Sequence, residues 1–230
     1  MDPRGTTGPT ADHSSATDDL LLARCRRIAT STWSDALDQL SIGGAVQGLT
    51  VRNGSARIAG RAITVREEVG PLGAYPVEAF AVGRIIEAIT TGCVLVIDMG
   101  GAAVSTLGGL AAQAALARGV AGVLIDGGCR DIEEIRTGAL WLASRHVTPV
   151  SGKRRVRVTS INEPVRLGGV DVSHGDYVIA DLTGIVVVPA PHIEEVLALA
   201  EHLESQDRRF REALDAGRAF AEIAATLRHL

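Results

Sequence analysis

In the stretch VLIDGGCRDIEEIR, residues 123–136, Arg130 and Asp131 stand side by side where an apolar run gives way to a helical pattern. Arg130 offers a planar fork that matches a carboxylate or an enolate-like pair of oxygens. Asp131 is a hard oxygen donor, suited to a divalent cation that keeps most of its waters. Plainer roles are open to both. Asp131-Ile-Glu-Glu134 fits a capping box, with Asp131 as N-cap and Glu134 reaching back, and Arg130 could pair with a nearby carboxylate. A second junction, STLGGLA at 105–111, sets Gly108 and Gly109 before an Ala-rich helix. Free N–H groups at a helix start attract anions, and glycines let a ligand approach the backbone. A Gly-Gly pair in this place is more often only a tight turn.

These junctions need strands to position them. CVLVIDMGG (93–101) and VAGVLIDGG (120–128) read as buried strands, STLGGLAAQAALARG (105–119) and RDIEEIRTG (130–138) as the helices after them, and ALWLASR (139–145) as a third strand. Two adjacent parallel strands would bring both junctions to one sheet edge, where open α/β sheets bind ligands. Such a crevice would hold a short oxo acid: backbone N–H groups on its carboxylate, Arg130 on its oxygens, a metal on Asp131. Upstream, 18–41 reads as two helices broken near residues 29–32, 57–68 as an alternating strand, and 75–92 as one helix stopped by Gly92. From about 155 several short strands follow, and 191–227 closes the chain with helix interrupted near Gly217. The second half lacks crossover helices, so a full doubly wound fold is not expected.

Of the 230 residues 46% are hydrophobic and only 3% aromatic, so the core must be built from Ala, Val, Ile and Leu. A net charge of −4 gives no reason to expect a nucleic-acid partner. Cys25, Cys93 and Cys129 form no metal or disulfide spacing. Residues 1–19 have no apolar core and read as a disordered tail rather than a signal peptide, and no run is long enough to span a membrane. The expectation is a soluble cytoplasmic protein. Basic residues are 22 arginines and one lysine, Lys153, in GKRRVRV. A Schiff-base enzyme needs a desolvated lysine, whereas Lys153 reads as part of a solvated basic edge. His146 and His174 lie near turns and read as surface or capping residues, and Cys129 as a small side chain packed under its turn.

GGLAAQAALARGVAGVLIDGGCRD (108–131), followed by GGVDVSHGDYVIADLTGIVVVP (168–189), resembles the RraA-like family, and SDALD (34–38) is similar to its N-terminal helix. The resemblance covers about residues 20–220, and the Gly-x20-Arg-Asp spacing from Gly109 joins both junctions. It implies one α/β domain over residues 20–230, β/β/α swivelling-domain-like (an αββα sandwich) with N- and C-terminal helices. It implies a homotrimer or homohexamer with active sites between subunits. The backbone of Gly108, Gly109, Leu110 and Ala111 would hold the pyruvate end of a small oxo-acid substrate. Arg130 would bind its oxygens, and Asp131 would hold Mg²⁺ or Mn²⁺ through waters. A carboxylate from a neighbouring subunit would order those waters, and Asp207 in DRRFREALDAG is placed there, where relatives often carry Glu.

The implied activity is that of a class II aldolase acting on 4-hydroxy-4-methyl-2-oxoglutarate-type substrates, an oxaloacetate decarboxylase, or both. Arg130 and Asp131 would be its catalytic residues, and a water the base. The family also contains a ribonuclease regulator, a type that lacks the aspartate present here as Asp131. Two departures point to a third reading, an enzyme with a changed substrate in specialised metabolism. Gly109 stands where many of the aldolases have an acid, and REEVGPLGAYP (66–76) replaces a PGDN-like loop. Glu67 and Glu68 could replace the lost acid, although two adjacent exposed glutamates are ordinarily solvated.

Overall fold

The computed structural model describes residues 13–227. Two helices, α1 (His13–Cys25) and α2 (Thr30–Gln39), precede the strands β1 (Thr50–Asn53) and β2 (Ile58–Val69). Then come α3 (Val82–Ala88), β3 (Val94–Asp98), β4 (Ser105–Leu107), α4 (Gly109–Ala117), β5 (Gly122–Cys129), α5 (Ile132–Arg136) and β6 (Leu142–Val147). The second half holds β7 (Val156–Ile161), the hairpin β8 (Val165–Leu167) and β9 (Val170–Val172), then β10 (Tyr177–Ala180) and β11 (Ile185–Val188). The helices α6 (Ile193–Asp215) and α7 (Phe220–Leu227) follow.

The main sheet runs β1-β6-β5-β3-β2-β10-β11, with β4 added to β5 and β7 added to β2. Its centre is parallel: β2 with β3, β3 with β5, and β5 with β6. Parallel strands covered on both faces read as unbroken apolar runs, and the alternation inside each run sorts the side chains. Leu95, Ile97, Val123 and Ile125 face α3, α4 and α5 through Ile85, Ile89, Ala112, Ala115 and Ile135. Val94, Val96 and Leu124 face the other way, onto the β8–β9 hairpin through Val165, Leu167 and Val172. A third cluster joins α1, α2 and α6 to β10 and β11 around Trp33, Ile179 and Leu197. The result is one mixed α/β domain with helices at both ends, as the resemblance implies. Among the described residues no helix is long and apolar enough to cross a membrane.

Two expectations are corrected. Residues 13–19, read as disordered tail, belong to α1, where Asp18 accepts a hydrogen bond from the Tyr177 hydroxyl at 2.9 Å and faces Arg61 at 3.4 Å. Residues 1–12 lie outside the described residues. The single helix expected over 75–92 is a 3₁₀ turn, Val77–Phe80, then α3, because Ala81 between them is left-handed at φ 41°.

α2 lacks a local cap. Asp181, from the β10–β11 turn, supplies one: its carboxylate accepts from Thr30 N at 3.0 Å and Thr30 Oγ1 at 2.6 Å. It also accepts from Thr183 N at 2.8 Å. Burial alone would raise this carboxyl, but the Thr30, Thr183 and Gly184 hydrogen bonds hold it below its ordinary value. Replacing Asp181 by Ala should therefore cost about 2–3 kcal/mol, the value of hydrogen bonds to a charged group. Urea unfolding should show this as a lower midpoint at unchanged slope.

Candidate functional site

β4 is the element that assembles the site. It lies parallel to the end of β5, with Ser105 opposite Gly128 and Leu107 opposite Cys129. The Arg130 N–H donates to Leu107 O at 2.9 Å. The Gly108-Gly109 and Arg130-Asp131 junctions thereby sit side by side, but through β4, a strand over residues 105–107 that the sequence reads as the start of the helix, and not through β3.

The capping box does not form. Asp131 precedes α5 in a left-handed conformation, φ 56° and ψ 39°, and makes no capping bond to its own helix. That backbone turns its side chain toward α4 instead, where Oδ2 accepts from Gly109 N at 3.1 Å. Arg130 Nε lies 3.5 Å from the same oxygen. A Cβ on Gly108 would come within 2.5 Å of Asp131 Oδ2 and 2.9 Å of Arg130 Nε, and a Cβ on Gly109 would run into the Glu134 carboxylate. A side chain at either place would have to displace these carboxylate and guanidinium ends. Glu134 fills the volume that a side chain at 109 would enter, so α5 brings a carboxylate to the spot where many of the aldolases carry an acid at 109.

These residues line a cavity of about 430 Å³. One wall is Arg130, Asp131 and Glu134, the first turn of α4 with Leu110 and Ala111 is another, and Phe80 and Val82 form an apolar side. Ser105 and Thr106 of β4 also face it. Lys153, read above as a solvated edge, lines it too. The segment after β6 returns along β4, with Ser105 N donating to Val150 O at 2.8 Å and Ser105 bridged to Ser151. This return carries the chain's one lysine over the cavity.

Glu67 and Glu68 are not a solvated pair. Glu68 reaches out and meets Arg157 at 2.6 Å. Glu67 is 4% exposed and accepts a hydrogen bond from Thr106 Oγ1 at 2.8 Å, while its Oε2 has no partner among the described residues. Burial pushes its carboxyl up to about 8, against the opposing pull of the Thr106 hydroxyl. The sequence carried a signal for this, since residues 63, 65, 67 and 69 share one strand face. Cys129 is fully buried, and burial raises its thiol even though Ser144 is in hydrogen-bond reach at 3.4 Å. His146 Nε2 sits 3.0 Å from Gly101 O. Asp207 lies on α6 and is not part of the cavity of its own chain.

Among the described residues no three His, Cys, Asp or Glu side chains group as a metal cage. The chemistry left is that of a hard ion. Asp131 offers one carboxylate at the open edge of a polar cavity, with Glu134 across Gly109. Such a donor set fits hydrated Mg²⁺ or Mn²⁺, which take one or two carboxylates and keep several waters. It does not fit zinc.

Fold and cavity together define an RraA-like protein. Residues 30–187 match that family, described as Aldolase/RraA, and the chain belongs to it. The 4-hydroxy-4-methyl-2-oxoglutarate aldolase of Thermus thermophilus is 32% identical over 139 residues, 60% of this chain and 79% of that protein. An uncharacterized protein from Pseudomonas syringae pv. tomato superposes with a TM-score of 0.79 at 30% identity, covering 89% of this chain and 96% of that one. Streptomyces coelicolor RraAS2, described as an unusual member of the RNase ES inhibitor RraA family, shares the fold. Its TM-score is 0.74 at 24% identity, over 89% and 98% of the two chains. The chain spans only 55% and 30% of the length of two further curated relatives.

The raised Glu67 carboxyl has a stability signature. The folded state holds the proton up to about 8, whereas the unfolded chain releases it near 4.5. Between those values the folded state binds more protons, so rising pH destabilises the wild type by about 1.4 kcal/mol per unit through this group. Glu67→Gln removes the term. Its stability relative to wild type should climb from pH 5 to pH 8, as read by urea midpoints at each pH.

Proposed function

We propose that this chain is a divalent-metal-dependent lyase that cleaves a C–C bond of a small 2-oxo acid and releases pyruvate. The observation that carries this reading is the convergence of Arg130, Asp131 and the first turn of α4 on one cavity. Backbone N–H groups of Leu110 and Ala111 suit the substrate carboxylate. Arg130 sets fixed positive charge where negative charge grows on the 2-oxo oxygen as the bond breaks. Asp131 would hold hydrated Mg²⁺ or Mn²⁺, a Lewis acid that favours the same charge when bound. Lys153 adds a point charge suited to a second carboxylate, and Phe80 and Val82 suit a small apolar group.

Retro-aldol cleavage also takes a proton from the 4-hydroxyl. Glu134 is the carboxylate placed to accept it, directly or through a water, while oxaloacetate decarboxylation needs no such acceptor. Assembly as a homotrimer or homohexamer belongs to the same proposal. Leu110, 81% exposed at the cavity rim, is apolar surface that a neighbour would cover, and Asp207 of the partner subunit would then approach the site. Light scattering on the purified chain measures that assembly.

Pyruvate release from oxaloacetate and from 4-hydroxy-4-methyl-2-oxoglutarate tests the function. It should require Mg²⁺ or Mn²⁺, stop with chelator, and vanish in Asp131→Ala. Arg130→Lys should rescue little, because the fork is lost. Full activity of Asp131→Ala, or of wild type in excess chelator, would overturn the reading.

Glu134→Gln should separate the two reactions. Aldol cleavage should fall about 10²-fold or more, the usual value of a general base, with decarboxylation nearly untouched. Equal losses in both would remove Glu134 from the proton path. Borohydride added with pyruvate should leave wild-type activity intact, since no Schiff base to Lys153 is involved.

A further inference from the structure

Among the described residues Glu67 is the one buried carboxylate bonded to a residue of the cavity wall that the mechanism above leaves unused. It stands on the apolar face of β2 between Val65 and Val69, within the cluster of Leu107 and Met99. Its hydrogen bond goes to Thr106, which faces the cavity. Threonine has one hydrogen to give. If Glu67 is a carboxylate, it takes that hydrogen. If Glu67 is a neutral acid, its own O–H can donate to Thr106 Oγ1, and the threonine hydrogen is released for another acceptor.

The surroundings favour the neutral form. On β2 the neighbours Arg66 and Glu68 are exposed, and Glu68 is paired with Arg157 of β7. Opposite Glu67 on β7 stands apolar Val158. Asp98 of β3 is bonded to the N–H groups of Gly100 and Arg166. Glu78, in the 3₁₀ turn packed on β7, is exposed, and Cys129 of β5 is a buried thiol. The charges of Arg130, Asp131, Glu134 and Lys153 lie around the cavity that Thr106 faces. Burial raises the Glu67 carboxyl, and the Thr106 hydroxyl opposes that rise when it donates to it.

Resting on the lyase reading above, we propose that Glu67 is a positioning residue: as a neutral acid it donates to Thr106 Oγ1 and commits the Thr106 hydroxyl to donate into the cavity, onto an anionic oxygen of the bound oxo acid. Thr106 thereby becomes an uncharged donor beside Arg130. Loss of the Glu67 proton reverses the bond and turns a lone pair toward the substrate anion.

The test has a spectroscopic arm and a kinetic arm. Infrared difference spectra of wild type minus Glu67→Gln should show the carbonyl band of a buried neutral acid at pH 7. That band should disappear with a midpoint of about 8 and move in Thr106→Val. Absence of the band, or indifference to Thr106→Val, overturns the proposal even if no pyruvate is ever released. A wild type without any pyruvate release, the band behaving as expected, counts against the lyase reading alone.

In the kinetic arm kcat should fall as pH rises through about 8 in wild type. Glu67→Gln, whose amide can donate as the acid does, should keep near-normal kcat without that alkaline limb. Glu67→Leu should hold or raise Tm, because it removes an unpaired buried polar atom, yet lose activity about as Thr106→Val does, on the order of a hundredfold for a lost oxyanion donor. An unchanged alkaline limb in Glu67→Gln, or full activity in Glu67→Leu, overturns the positioning role.

Discussion

Everything in the cavity hangs on three residues of strand. β4 extends only from Ser105 to Leu107, and its pairing with the tail of β5 is what brings the start of α4 against Arg130 and Asp131. Two bonds fasten the contact across the junctions: Arg130 N to Leu107 O and Gly109 N to Asp131 Oδ2. The second engages a side chain that also faces the cavity, so fold and site share one carboxylate. Asp131 accepts an unfavourable left-handed backbone, a conformation in which aspartate is more tolerable than most residues. The bond from the helix start offsets part of that cost.

The carboxylates near the cavity divide by solvation. Asp131 and Glu134 stand at an open rim, where water and cations can reach them. Glu67 stands behind Thr106 on the apolar face of β2, where burial raises its carboxyl. One small region thus combines solvent-exposed carboxylates with a buried one.

Much of this architecture was legible along the chain. The apolar runs at 93–101 and 120–128 have the length and composition of covered parallel strands, and the second run's glycine-rich end marks the Arg130-Asp131 junction. What escaped depends on contacts distant in sequence. β4 is too short to show a period, and Ala81 carries no residue-type warning of its left-handed turn. The Asp131-x-x-Glu134 spacing promised a capping box, but the pull of the α4 start overrode it. Lys153 sits where it does because a loop returns along β4, which no window around GKRRVRV reveals. Glu67 is different: strand parity placed it inward, and only its charge argued against burial.

The solitary lysine has a practical corollary. Every other basic side chain is arginine or histidine, and the one primary amine on a side chain borders the cavity. Amine-selective reagents therefore have a single side-chain target in the chain. A fluorophore or cross-linker attached there, at a pH that favours the lysine over the α-amino group, would report directly on what enters, leaves or covers that pocket.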